Sequence, residues 1–207
     1  MKVKICGITN REDALLAVDL GADALGFIFV SSSPRYIQPT IAGNIIKELP
    51  PFITTVGVFV DPSEEEISSV IQQSGITSVQ LHGNESPQFC TKMQITVIKA
   101  FRVDKNFQVS GLSKYEVSSF LLDTYVEGSL GGTGKTFDWK TAIEAKKIGK
   151  IILAGGLHPE NIVEAIQVVQ PYAVDVNSGV EQAPGRKDRE KLVRLFKNIQ
   201  KAQETLK

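Results

Sequence analysis

The sequence has little of what several large functional classes require. It has two cysteines, Cys6 and Cys90, far apart and with no CxxC spacing, so neither a disulfide framework nor a thiolate metal site is expected. The two histidines, His82 and His158, add no ligand spacing, and no metal is expected. Charge of one sign is also missing: 23 basic side chains face 23 acidic ones. That balance argues against a nucleic-acid binder, and against a membrane-surface module, that works through a basic face. The longest apolar run, Ala24 to Val30, falls far short of the roughly 20 residues a spanning helix needs. The start, Met1-Lys2-Val3-Lys4, lacks a signal-peptide apolar region, which together with the cysteine usage predicts a cytoplasmic protein. No linker, low-complexity tract or compositional break divides the chain, so residues 1–207 are expected to form a single domain.

What is present is alternation. Short apolar runs rich in Val, Ile, Phe and Leu occur at Val3 to Cys6, Ala24 to Val30, Thr54 to Val60, Ser78 to His82, Thr96 to Phe101, Ser119 to Asp123, Lys150 to Ala154 and Tyr172 to Asn177. Each ends in a polar or glycine-containing stretch, as strands buried on both faces do. Helical periodicity lies between them. Asn10 is placed to cap a helix from Arg11 to Leu20, and Ser63 with Glu66 forms a capping box. Pro159 occupies a first-turn position before Ile162. Arg189 to Leu206 carries Leu192, Val193, Leu195, Phe196 and Ile199 on one stripe. The segment from Asp104 to Val117, with Gly111 and scattered polar residues, is a doubtful helix. Strand–helix alternation means parallel strands joined by right-handed crossovers. Eight short units, with no glycine fingerprint in the first turn, Cys6-Gly7-Ile8-Thr9, predict an α/β fold of the (β/α)8 TIM-barrel type over an open sheet.

In such a barrel the chemistry sits at the carboxyl ends of the strands. Those ends read Cys6-Gly7, Ser33-Pro34-Arg35, Asp61, His82-Gly83, Phe101-Arg102, Asp123, Gly155-Gly156 and Asn177-Ser178-Gly179. Glycines after the seventh strand and Asn-Ser-Gly after the eighth match the place where barrels bind phosphate through backbone N–H groups; a plain tight turn is the bland reading of the glycine pair. Gly131-Gly132-Thr133-Gly134-Lys135-Thr136 ends like a nucleotide P-loop, but Ser129 stands where that pattern needs glycine, so a flap over the mouth fits better. Cys6 is either a small buried hydrophobe or a thiolate base or nucleophile, and its position at the strand end counts against burial. Cys90 is structural. Asp123 is either a general acid, its proton retained by partial desolvation, or a loop cap. Arg35 is either a surface charge or a planar fork for a substrate carboxylate. His82 is either a base or a hydrogen-bonded rim residue. Lys4 and Asp175, on neighbouring strands of a closed barrel, are expected to pair inside it as a structural unit.

Taken together, these stretches resemble the phosphoribosylanthranilate isomerase family of tryptophan biosynthesis. The resemblance rests on Lys4-Ile5-Cys6-Gly7-Ile8-Thr9, Gly26-Phe27-Ile28-Phe29, Ser33-Pro34-Arg35-Tyr36-Ile37, Gly57-Val58-Phe59-Val60 and Val79-Gln80-Leu81-His82-Gly83. It continues through Leu122-Asp123, Gly131-Gly132-Thr133-Gly134 with Phe137-Asp138-Trp139, Leu153-Ala154-Gly155-Gly156-Leu157, Asp175-Val176-Asn177-Ser178-Gly179-Val180-Glu181, and Pro184-Gly185 with Lys187-Asp188. The match covers nearly the whole chain in order. It departs at Asn177, where the family usually has serine, so a hydroxyl contact there is lost while backbone contacts are kept.

The resemblance implies an Amadori rearrangement of N-(5'-phosphoribosyl)anthranilate to 1-(2-carboxyphenylamino)-1-deoxyribulose 5-phosphate, with Asp123 as general acid and Cys6 as general base. It implies further that Arg35 holds the anthranilate carboxylate, that His82 lines the substrate site, and that Gly156, Asn177, Ser178 and Gly179 hold the phosphate. No cofactor is implied, and the partner is a small phosphosugar; the chain is a monomer or a homodimer. Two competitors remain: a related histidine-pathway aminoaldose isomerase, which typically uses paired aspartates where this chain has Cys6, and a catalytically silent phosphate-ligand binder on the same scaffold.

Overall fold

The computed structural model describes residues 1–123 and 139–206. Eight parallel strands pair in chain order and close on themselves: β1 (Lys2–Ile5), β2 (Ala24–Ile28), β3 (Thr54–Phe59), β4 (Ser78–Leu81), β5 (Thr96–Arg102), β6 (Ser119–Asp123), β7 (Ile151–Ala154) and β8 (Ala173–Val176). The closing seam joins the two ends of the chain, with Lys4 in register with Asp175 and Ile5 with Val176. Strand ends fall within two residues of the sequence reading, because the apolar runs end where backbone pairing ends.

Helices α1 (Arg11–Asp19), α2 (Pro39–Ile46), α3 (Glu64–Ser74), α4 (Pro87–Lys92), α5 (Lys140–Ala145), α6 (Ile162–Val169) and α7 (Arg189–Glu204) flank the barrel. Their starts are chemical. Side chains of Asn10, Ser63, Ser86 and Asp188 accept from the backbone N–H three residues on, satisfying donors that have no partner within the helix. Between β5 and β6 a 3-10 helix, Val109–Lys114, replaces the α-helix, as the scattered polar residues there lead one to expect. After β8 come a one-turn 3-10 helix, Ser178–Val180, and a small hairpin of β9 (Glu181–Ala183) and β10 (Arg186–Lys187).

Two helical expectations are corrected. Pro159 lies in the turn before α6, whose cap is Asn161; the N–H groups of Asn161 and Ile162 both bond to the His158 carbonyl, so the helix opens one turn later than Pro159 suggests. On α7 the buried stripe is Leu192, Leu195, Ile199 and Ala202, while Val193 points outward. A stripe of that spacing covers a narrow contact with the barrel, and Val193 lies just off it.

Strand residues alternate between the barrel axis and the helical shell. Inside, Val56, Ile98, Ala100, Leu121, Ile152, Ala154 and Ala173 fill the middle, and Cys6, Ile28 and Val58 pack as a smaller cluster nearer the carboxyl ends. Outside, Leu25, Phe27, Phe59, Val79 and Leu81 face the helices. Burial of this apolar area is the main stabilising contribution, at about 25 cal/mol per Å². Among the described residues no helix is long and apolar enough to cross a membrane. The flap read at Gly131 to Lys135 lies outside the described residues, as do Phe137 and Asp138.

Candidate active site

A pocket of about 370 Å³ opens at the carboxyl ends of the strands. Cys6, Arg35, His82, Asp123, Gly156, Asn177 and Ser178 all line it. These residues come from six of the eight strand ends and span most of the chain, so the barrel itself brings them together. Gly179 stands behind the pocket wall; a Cβ there would run into the Leu157 carbonyl and His158.

Cys6 follows β1, and its thiol is buried, with 5% of the residue exposed. This corrects the expectation that a strand-end cysteine escapes burial: the side chain turns inward, onto Ile28 and Val58. It has room because Gly26 has no side chain. A Cβ at that glycine would come within 2.7 Å of the thiol sulfur and 3.1 Å of the Lys4 ammonium. Lys4 forms the expected pair with Asp175, at 2.7 Å and deep in the barrel, with its ammonium near the Cys6 thiol. Burial pushes the Cys6 thiol above its ordinary value; Lys4 and Lys187 pull it down without prevailing, and Asp175 adds to the rise. For Lys4, burial disfavours the charge, but Asp175 and Cys6 outweigh it and the ammonium is held charged more firmly than usual. Asp175 Oδ1 is buried with no hydrogen-bond partner among the described residues.

Arg35 does not reach into the pocket as a free fork. Its Nε and one terminal nitrogen donate to both oxygens of Glu181, at 2.7 to 3.1 Å, a geometry that fixes the guanidinium plane. Glu181 also receives Lys187 Nζ at 3.0 Å and the Gly185 N–H at 3.2 Å. Burial would raise the Glu181 carboxyl, yet Arg35 and Lys187 more than offset it and hold the group below the usual carboxylate range. Lys187 titrates below an ordinary lysine because burial dominates. The Asn177 side-chain oxygen accepts from Lys187 at 3.1 Å, so it is engaged behind the pocket wall.

On the opposite side, His82 Nε2 lies 3.5 Å from Asp123 Oδ2, longer than a well-formed hydrogen bond. His82 Nδ1 and Gln80 Nε2 are 3.2 Å apart. Asp123 ends β6, half-buried beside the mouth. Arg102, at the end of β5 and in register with Asp123, adds a cation to the lining. At the remaining edge Gly155 and Gly156 turn with φ of 86° and 61°, values that glycine adopts without strain. Among the described residues no acceptor faces the N–H groups of Gly156, Ser178 or Gly179. The arrangement offers a proton acceptor, a proton donor, a fixed guanidinium and an amide cradle around one opening. No group of three or more metal-ligating side chains occurs among the described residues.

Sequence reasoning missed Glu181 and Lys187, which appear in a quoted motif without a role. It also missed Glu85 and Lys99; a lysine inside the apolar run Thr96 to Phe101 was the available signal.

Comparison with known proteins gives consistent matches. Residues 3–198 match the family described as N-(5'-phosphoribosyl)anthranilate (PRA) isomerase. An N-(5'-phosphoribosyl)anthranilate isomerase from a Geobacter species is 54% identical over 200 residues, covering 97% of this chain and 98% of that protein. The crystal structure of the phosphoribosyl anthranilate isomerase from Thermotoga maritima superposes with a TM-score of 0.89 at 44% identity, covering 97% and 99% of the two chains. A structure of a phosphoribosyl anthranilate isomerase in complex with reduced 1-(o-carboxyphenylamino)-1-deoxyribulose 5-phosphate superposes with a TM-score of 0.86 at 42% identity, again covering 97% and 99%.

Proposed function

The chain belongs to the N-(5'-phosphoribosyl)anthranilate isomerase family, and from that premise we propose how its own residues perform the reaction. The enzyme isomerises N-(5'-phosphoribosyl)anthranilate, a small phosphosugar, to 1-(2-carboxyphenylamino)-1-deoxyribulose 5-phosphate in tryptophan biosynthesis. Asp123 is the general acid. It donates a proton to the furanose ring oxygen as the ring C1–O bond breaks and the anilino nitrogen forms an iminium at C1. Cys6 is the general base: its thiolate takes the C2 proton, which the adjacent iminium acidifies, and the C2–H electrons neutralise the iminium to give an enolamine. Tautomerisation of the enolamine moves a proton to C1 and leaves the ketone at C2.

The observation that carries this reading is the placement of a thiol and a carboxyl on opposite sides of one pocket, each with its own charged or ionisable neighbour. Lys4 supports the thiolate electrostatically. The Arg35 guanidinium, with its plane set by Glu181, holds the anthranilate carboxylate with the donors that Glu181 leaves over. The N–H groups of Gly156, Ser178 and Gly179 receive the phosphate, and Asn177 contributes through its backbone.

The test is consumption of phosphoribosylanthranilate followed by fluorescence. Cys6→Ser and Asp123→Asn should each lower kcat by about 10²- to 10⁴-fold, the usual range for a general acid or base, with the phosphate-bearing ligand still bound. Full turnover in either folded variant removes that residue from the mechanism.

A further inference from the structure

The reaction as assigned makes no use of the buried Glu85–Lys99 pair. Lys99 leaves β5 on the face toward the helices, with 2% of its side chain exposed, as for Glu85. Its ammonium gathers Glu85 Oε2 at 3.0 Å, the carbonyls of Gly83 and Ala100 at 2.9 Å and that of Leu81 at 3.2 Å, and it rests over the Phe101 ring at 4.9 Å. Glu85 Oε1 accepts the N–H groups of Asp61 at 2.9 Å and Gly83 at 3.1 Å. The Asn84 N–H is bound by Asp61 Oδ1 at 2.6 Å, and Tyr115 donates to the Glu85 carbonyl at 3.3 Å.

We propose that the Glu85–Lys99 pair is a positioning device for the reaction: it clamps the backbone on both sides of His82 so that the imidazole stands against the Asp123 carboxyl. Leu81, Gly83, Asn84 and Glu85 are each fixed through this cluster, and the His82 N–H bonds to the Phe59 carbonyl at 2.8 Å. Stability alone does not call for a charged pair here, because apolar residues of similar volume commonly serve a buried layer as well or better. What the ion pair adds is convergence. It draws the chain after β3, the chain after β4 and the end of β5 onto one point, at hydrogen-bond distances. The inference rests on the reading of Asp123 as the acid.

The experiment is a double-mutant cycle on the full chain, with Lys99→Met made alone and in a His82→Ala background. Alone, Lys99→Met should lower kcat by roughly 10- to 100-fold, the effect of misplacing a reacting group by about 1 Å, with KM changed less than about twofold. In the His82→Ala background the same substitution should change kcat by less than about twofold, since the two share one effect. Glu85→Gln should repeat the pattern. An equal loss in both backgrounds, a KM rise that accounts for the loss, or an unchanged kcat in His82→Ala overturns the proposal. If Lys99→Met fails to fold, Asp61→Gly serves instead. That variant suits a φ of 47° and removes only the surface bond to Asn84. Its smaller kcat loss, about threefold on the same argument, must likewise vanish in the His82→Ala background, and persistence there overturns the proposal. Asp123→Asn separates the two ideas. Normal turnover in that variant defeats the underlying reading, whereas an inactive variant beside an additive cycle defeats the positioning role alone.

Discussion

Two of the buried charge pairs among the described residues, Lys4–Asp175 and Glu85–Lys99, differ in the work they do. At the seam of β1 and β8, Lys4 and Asp175 lie inside the barrel, and Lys4 stands near the thiol of Cys6, the proposed proton acceptor. At β4 and β5, Lys99 and Glu85 lie outside the barrel wall, and their partners are backbone groups and each other. In the proposed mechanism the first arrangement sets the energy of a charge in the reaction. The second sets where a side chain stands. The barrel wall makes the distinction: a charge on the axis side shares a pocket with the substrate, and one on the shell side acts only through the chain between them.

The sharpest way to break this contrast is to remove charge at the seam. Lys4→Met leaves Asp175 buried and unpaired and should destabilise the fold by about 3–5 kcal/mol, the range for one partner of a buried pair, as measured by urea denaturation. Lys4→Met combined with Asp175→Leu should recover much of that stability and none of the activity; recovered turnover would show that the seam charge is merely structural.

A smaller effect is expected in the pH profile. The Cys6 value is raised by burial, so the thiolate grows as pH rises, and kcat/KM should climb through the neutral and alkaline range. Removing Lys4 takes away a group that lowers the Cys6 value, so the climb should move to higher pH. A profile unmoved in Lys4→Met, taken at a temperature where that variant is folded, would deny Lys4 its electrostatic part.

Glu181 gives the next effect. Its folded value lies below the ordinary one, so its contribution to stability is present above the unfolded value of about 4.3 and is lost as pH falls through the folded value. Glu181→Gln should therefore flatten the loss of stability on acidification in that range, read from Tm between pH 3 and 6. The smallest effect belongs to the exposed Arg11–Glu48 pair, where Arg11→Ala should change stability by less than about 1 kcal/mol.

The barrel was largely legible in the residues. Eight apolar runs alternate with capped helices because a strand buried on both faces and a helix buried on one leave different periodicities. The pocket was legible too, since strand ends predict it, and so was the Lys4–Asp175 pair, since adjacency of first and last strands follows from closure. What stayed hidden depends on distances that periodicity does not encode. Nothing in the spacing of Arg35 and Glu181 reveals that they meet, because the contact joins the loop after the second strand to the residue that follows the 3-10 turn after the eighth. Burial of Cys6 turned on the missing side chain of Gly26, a neighbour in space on the adjacent strand. Lys99 breaks an apolar run, which flags it, but its partner Glu85 sits in a loop of no special composition.

Closure of the barrel through its two ends has a consequence in time. Cys6, the proposed proton acceptor, follows the first strand made, and Asp175, which pairs with Lys4, belongs to the last strand of the barrel, 171 residues after that lysine. At synthesis rates of about 5–20 residues per second, Lys4 is made roughly ten seconds or more before Asp175 exists. During that interval the emerging polypeptide holds a lysine that has no counter-charge to follow into an interior. The Lys4–Asp175 pair is complete only when the eighth strand stands against the first.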